Sequence, residues 1–175
     1  MATTHHQHAG PTPRQITEAV AHLKAGRLII MPTETVYGLA AMATIPAALE
    51  ALRAMPRPGS AQRPVGQPFT WHAPSAARVA SAMAIRHPLH MRVLDQLQPG
   101  PVRLLFPKGS AAAAISSGLG VAPGSIDAGG EFGVRVPDAP VARAVLEAAG
   151  GVVVAERISA FGLGDGRTLP ADTGR

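Results

Sequence analysis

The first apolar run of this chain is short and ends abruptly. Leu28-Ile29-Ile30 leads through Met31 to Pro32, and a hydroxyl, a carboxylate and a second hydroxyl follow at once in Thr33-Glu34-Thr35. An apolar run of this length, bounded by proline, reads as a buried strand, because proline cannot donate to a sheet ladder. Polar groups gathered at the end of a buried strand are where α/β folds place their ligands. The run therefore calls for a layered fold with a sheet inside and a ligand-sized opening at a strand end.

The rest of the chain supplies the layers. Ile16, Val20 and Leu23 share one face of a helix expected over residues 13–25, which Gly26 stops. Further helices are expected over residues 45–55, 75–86, 88–97, 110–116 and 141–149. Strands are expected over residues 27–31, 68–72, 102–106, 133–136 and 152–155. Helices and strands mixed around one sheet make an α/β or α+β domain. Residues 1–12, with His5, His6 and His8, read as a disordered tail, and residues 13–175 as one domain. Residues 56–68 are a Pro/Gly/Arg/Gln loop of a length that is often functional. After Arg157 the chain turns Gly-rich and irregular.

Composition narrows the chemistry. Hydrophobic residues make up 46% of the chain but aromatics only 3%, so Ala, Val, Leu and Ile must build the core. The absence of cysteine excludes disulfides and thiolate metal sites. A formal net charge of +5 suits anionic ligands such as nucleotides or nucleic acid. An arginine-rich composition without a functional basic face explains that charge equally well. No apolar run approaches the ~20 residues that span a bilayer, and the N-terminus lacks the apolar core of a secretory signal. A cytoplasmic protein with no membrane partner is expected.

Five blocks, in order, resemble the YrdC-like family. Pro32-Thr33-Glu34-Thr35-Val36-Tyr37-Gly38-Leu39 resembles its opening signature almost letter for letter. Residues Gln62 to His72 are similar to its Lys-x-Arg-Pro element, and Pro99-Gly100-Pro101 to its Pro-Gly-Pro-x-Thr element. Gly133-Val134-Arg135-Val136-Pro137 is similar to Gly-x-Arg-x-Pro, and Ile158 to Gly164 stands where the family has Ser-x-Asn. Together the blocks span roughly residues 15–166, which is far more specific than any one of them. The glycine pairs Gly118-x-Gly120 and Gly162-x-Gly164 lack the strand–helix context of a nucleotide loop.

The resemblance implies an open twisted mixed sheet with helices on its faces and a basic cleft. It implies a synthase that joins threonine, bicarbonate and ATP into threonylcarbamoyl-adenylate and pyrophosphate. Mg²⁺ would travel with the ATP and need no dedicated protein site. The product would feed tRNA N6-threonylcarbamoyladenosine modification by a transferase partner. Arg63 would bind ATP through paired hydrogen bonds to phosphate. Thr33, Thr35, His72, Arg135 and Ser159 would hold threonine, and Tyr37, Arg103 and Phe161 would line the pocket. No single side chain is assigned a catalytic role. Taken without the resemblance, Arg63 is a solvated loop arginine, Arg135 an ion-pair partner of Glu131 or Asp138, and His72 a structural strand-end histidine. The threonine hydroxyls would then bond the local backbone. Ala61, Arg103 and Phe161 stand where the family has lysine, threonine and asparagine. Those departures suit a second reading: a cleft that binds a nucleotide or double-stranded RNA without synthase activity.

Overall fold

The structure, a computed structural model, describes residues 10–56 and 67–158. Most of the expected N-terminal tail, the arginine-bearing loop and the Gly-rich end lie outside these residues. Among the described residues seven strands form one sheet: β1 (Ile29–Pro32), β2 (Tyr37–Met42), β3 (Thr70–His72), β4 (Leu104–Pro107), β5 (Asp127–Ala128), β6 (Glu131–Arg135) and β7 (Val153–Arg157). Their order is β1-β2-β7-β3-β6-β4, with the two-residue β5 beside β6. Only β3 and β6 run parallel; every other neighbouring pair is antiparallel.

Among the described residues six α-helices cover the sheet: α1 (Pro13–Lys24), α2 (Pro46–Ala54), α3 (Ala76–Ala82), α4 (Pro88–Leu97), α5 (Ala112–Gly118) and α6 (Pro140–Ala149). α1 starts on a capping box, in which the Thr12 side chain and Gln15 satisfy each other's backbone. α6 has Pro140 in its first turn and ends at Gly150, whose φ of 69° suits a residue without Cβ. The sheet sorts its residues by the two-residue alternation of strands. Leu39, Ala41, Trp71, Phe132, Val134 and Val154 face one side and form the main core with residues of α2, α3, α4 and α5. Met31, Ala40, Met42, Val153 and Ala155 face the other side and pack on α1 and α6.

Several expected elements differ from those observed. The helix expected over residues 75–86 ends at Ala82, and Ala84 follows with φ 48°, outside the helical region. The strands expected over 68–72 and 102–106 begin two residues later, at Thr70 and Leu104. β2 and β5 were not expected at all. β2 reads Tyr-Gly-Leu-Ala-Ala-Met, with no β-branched residue, so local propensity does not mark it. It forms because β1 pairs on one edge and β7 on the other. No helix among the described residues is long and apolar enough to cross a membrane.

Phe132 is fully buried in the main core. Phe132→Ala should cost about 3–5 kcal/mol of unfolding free energy, the range for a large core aromatic. Urea titration followed through Trp71, the chain's one tryptophan and itself buried, measures this cost.

Candidate functional site

On the face packed by α1 and α6, the two helices meet β1, β2 and β7 but do not extend over β3, β6 and β4. Along those strands, the residues facing this side include Thr70, His72, Gly133, Arg135 and the exposed Leu105, on the opposite side from Trp71 and Val134. The result is an open cleft of about 440 Å³. Thr33, Gly38, His72, Arg103, Arg135 and Arg157 are among its lining residues. Glycine suits its floor: a Cβ at Gly38 would press on the Ala155 methyl at 3.3 Å.

Arg135 is the centre of a latch. Its Nη2 donates to Glu34 Oε1 at 2.6 Å and to Thr35 Oγ1 at 2.9 Å, and its Nε donates to the Gly100 carbonyl at 3.2 Å. The second Glu34 oxygen accepts from the Asp138 backbone N–H at 3.1 Å. The latch joins the β1–β2 turn, the end of β6 and the Pro99-Gly100-Pro101 loop. Arg135 thus has an ion-pair partner, but it is Glu34, not Glu131 or Asp138. Asp138 lies 3.8 Å from Arg143 instead. Burial alone would raise the Glu34 carboxyl; the hydrogen bond from Arg135 leads the opposing effects, and the net pKa is below the usual carboxylate value.

The threonines form a turn whose hydroxyls bond local groups, Thr33 to the nearby backbone. Thr33 Oγ1 donates to the Val36 carbonyl at 2.5 Å and accepts from the Val36 N–H at 3.2 Å. Thr33 lines the cleft, whereas Thr35 turns its hydroxyl to Arg135 and is not among the lining residues. Tyr37 opens β2, is 58% exposed and also lies off the lining. His72 is buried, with Nδ1 3.2 Å from the Thr70 carbonyl. A carbonyl only accepts, so this bond puts the proton on Nδ1 and leaves Nε2 an acceptor. Desolvation, reinforced by the nearby Arg135 and Arg103 charges, lowers the His72 pKa to about 4. Its ring is therefore neutral at pH 7. Arg63, Ser159 and Phe161, together with Ala61, lie outside the described residues.

Two site residues escaped sequence reading. Glu34 sat inside the recognised motif but had no expected partner, because Arg135 is 101 positions away. Gln98 carried no signal at all. It is buried, donates through Nε2 to the Val102 carbonyl at 2.7 Å, and accepts through Oε1 from the Val136 N–H at 2.6 Å. The Gly100 N–H adds a bond to the Val136 carbonyl at 2.9 Å. Gln98 thereby fastens the loop that precedes Arg103 to the end of β6.

Comparison with known proteins places these features in context. The profile of the Sua5/YciO/YrdC family, described as "Telomere recombination", matches residues 21–162. A Mycobacterium leprae protein provisionally named threonylcarbamoyl-AMP synthase is 59% identical over 39 residues, which is 22% of this chain and 18% of that protein. The structure of P. abyssi Sua5 complexed with L-threonine superposes with a TM-score of 0.63 at 26% identity, over 85% of this chain and 39% of that one. E. coli YciO superposes with a TM-score of 0.63 at 22% identity, over 84% of this chain and 65% of that one, a likeness of fold. The chain thus spans well under half of the Sua5 structure it matches.

Two outcomes test the site's electrostatics. Glu34→Gln leaves the guanidinium of Arg135, whose side chain is only 13% exposed, without its counter-charge. It should cost about 1.5–3 kcal/mol of unfolding free energy, the range for a hydrogen bond to a charged group, and Arg135→Met in the same background should cost little more. His72 takes up a proton near pH 6.5 when unfolded and near 4 when folded. Its contribution is full above pH 6.5 and is lost as pH falls from 6.5 to 4. Thermal melts over that window should show a weaker decline for His72→Asn, which keeps a donor toward the Thr70 carbonyl, than for the parent.

Proposed function

Because the chain belongs to the Sua5/YciO/YrdC family, whose profile covers residues 21–162, we propose that it makes a threonylcarbamoyl-adenylate from threonine, bicarbonate and ATP. The observation that carries this reading is the cleft. Its floor sets hydroxyl, neutral imidazole and guanidinium groups side by side on a helix-free half of the sheet. Such a surface suits a small zwitterion beside a phosphate chain, since both need donors held in place rather than recruited from water.

In the proposed reaction the threonine amine first takes up bicarbonate as a carbamate, with loss of water. A carbamate oxygen then forms a bond to the α-phosphorus, the bond from α-phosphorus to the bridging oxygen breaks, and pyrophosphate departs. Thr33, His72 and Arg135 frame the amino-acid end, with Thr35 held on Arg135; the family resemblance adds Ser159 to the residues that would hold threonine. The neutral His72 offers Nε2 as an acceptor for a hydroxyl or ammonium group. Arg63 holds phosphate, and Mg²⁺ arrives with the nucleotide as part of the substrate. Among the described residues no three His, Asp or Glu side chains gather that could hold a metal. The adenylate would pass to a transferase that modifies tRNA adenosine.

Pyrophosphate release tests the reading directly. Release should require threonine, bicarbonate and ATP together; ATP binding without release under any combination would favour a nucleotide- or RNA-binding module instead. The rate should lie below roughly 1 s⁻¹, because Ala61 and Phe161 remove two polar contacts from one bound nucleotide. Ala61→Lys combined with Phe161→Asn should raise it more than either change alone. Arg63→Ala should weaken ATP binding, measured calorimetrically, by about 1.5–3 kcal/mol.

A further inference from the structure

The ladder between β4 and β6 begins at Leu104, opposite Val134. The same register carried back to residue 102 would set Val102 opposite Val136. The side chain of Gln98 lies between them instead. Its Oε1 accepts from the Val136 N–H at 2.6 Å, and its Nε2 donates to the Val102 carbonyl at 2.7 Å. A primary amide carries a donor and an acceptor on one plane, as a peptide group does. Gln98 therefore replaces a backbone rung with a wider one. Its own place is fixed: the residue is buried, and its N–H closes α4 on the Leu94 carbonyl at 2.9 Å. It is not among the residues that line the cleft.

Both arginines of the cleft depend on that spacing. Gly100 gives its N–H to the Val136 carbonyl at 2.9 Å, and its own carbonyl accepts from Arg135 Nε at 3.2 Å. Val102 leads directly into Arg103, which lines the cleft. Resting on the function proposed above, we infer that Gln98 is a positioning residue for that reaction: it touches no substrate, and its amide sets how far the loop from Pro99 to Val102 stands from β6, and with it where Arg135 and Arg103 carry their charge. Methionine, of similar length, would leave a buried N–H and a buried carbonyl unpaired. Asparagine keeps the amide but is one methylene short of spanning both partners. A shift of about 1 Å in a group that frames a reaction can cost on the order of 100-fold in rate. His72 reports the same placement without any substrate, because Arg135 and Arg103 both act against its protonation.

Two readouts on the full chain test the inference: pyrophosphate release with threonine, bicarbonate and ATP, and an NMR titration of the His72 ring, whose resonance His72→Asn identifies. Ser116→Ala is the control. It breaks a buried side-chain bond of equal length, 2.7 Å to Asp127, in α5 on the opposite face of the sheet. Gln98→Met should lower kcat/KM for threonine by about 10- to 100-fold, and the pKa of His72 should rise from about 4 toward its ordinary value. Ser116→Ala should lower the melting temperature but leave kcat/KM within about twofold of the parent and the His72 titration in place. Gln98→Asn should give a smaller change in the same direction in both readouts, and it carries the test where melts show that Gln98→Met does not fold. A folded Gln98 variant with kcat/KM within about twofold of Ser116→Ala overturns the inference and leaves the proposed function standing. So does a loss of activity with His72 unmoved, which would put the effect elsewhere than in the placement of the two arginines. A parent that releases no pyrophosphate under any combination overturns the proposed function itself, and this inference with it.

Discussion

A sheet residue can face only one side, and in this protein the two sides are not covered alike. Four helices back the main core, whereas α1 and α6 alone cover the other face and reach only β1, β2 and β7. Where both faces are covered, both alternating sets must be apolar, and β7 opens as Val-Val-Ala. Where cover ends, the second set is released from that demand. There the chain places Thr70, His72, Gly133 and Arg135. The cleft is thus the uncovered half of a three-layer fold, and its rigidity comes from the packed strands beneath it.

Within that half, charge is arranged to hold backbone segments together. The Glu34–Arg135 pair is partly shielded, with side chains 24% and 13% exposed, so each partner is costly to strip of the other. The pair ties the β1–β2 turn to a loop and a strand end that lie about a hundred positions away. His72 responds to the same field. Burial of the ring, helped by two nearby guanidinium groups, disfavours its protonation, so a neutral imidazole sits beside cations. A neutral acceptor next to fixed positive charge gives the cleft two distinct recognition elements instead of one undifferentiated basic patch.

Much of the scaffold was legible because its signals are local. α4 appears over the residues its apolar spacing marks, and α1 and α6 differ from expectation by a single residue. The apolar run Val152–Ala155 announced β7, although the strand continues through Glu156 and Arg157. β2 was not legible, because glycine and alanine carry little strand preference and its stability comes from both neighbours. The end of α3 was missed for the opposite reason: the helical pattern continues locally, but the backbone turns at Ala84. Gln98 was invisible because an isolated glutamine has no pattern, and its two backbone partners, Val102 and Val136, stand 4 and 38 positions away.

By itself, the sequence determined which segments are apolar enough to be buried, where prolines and glycines interrupt them, and the order of the motif blocks that mark the family. These depend on side-chain chemistry and spacing along one stretch of chain. Only the tertiary structure decided which arginine meets a carboxylate among the described residues. Arg103 and Arg135 are alike as residue types, and each follows a valine. Their difference arises because the β1–β2 turn delivers Glu34 to one of them, while the other turns the edge of its guanidinium toward Gly133. Electrostatic partnership is screened over roughly 10 Å at ordinary salt, so it is set by distance in space, which separation along the chain does not reveal.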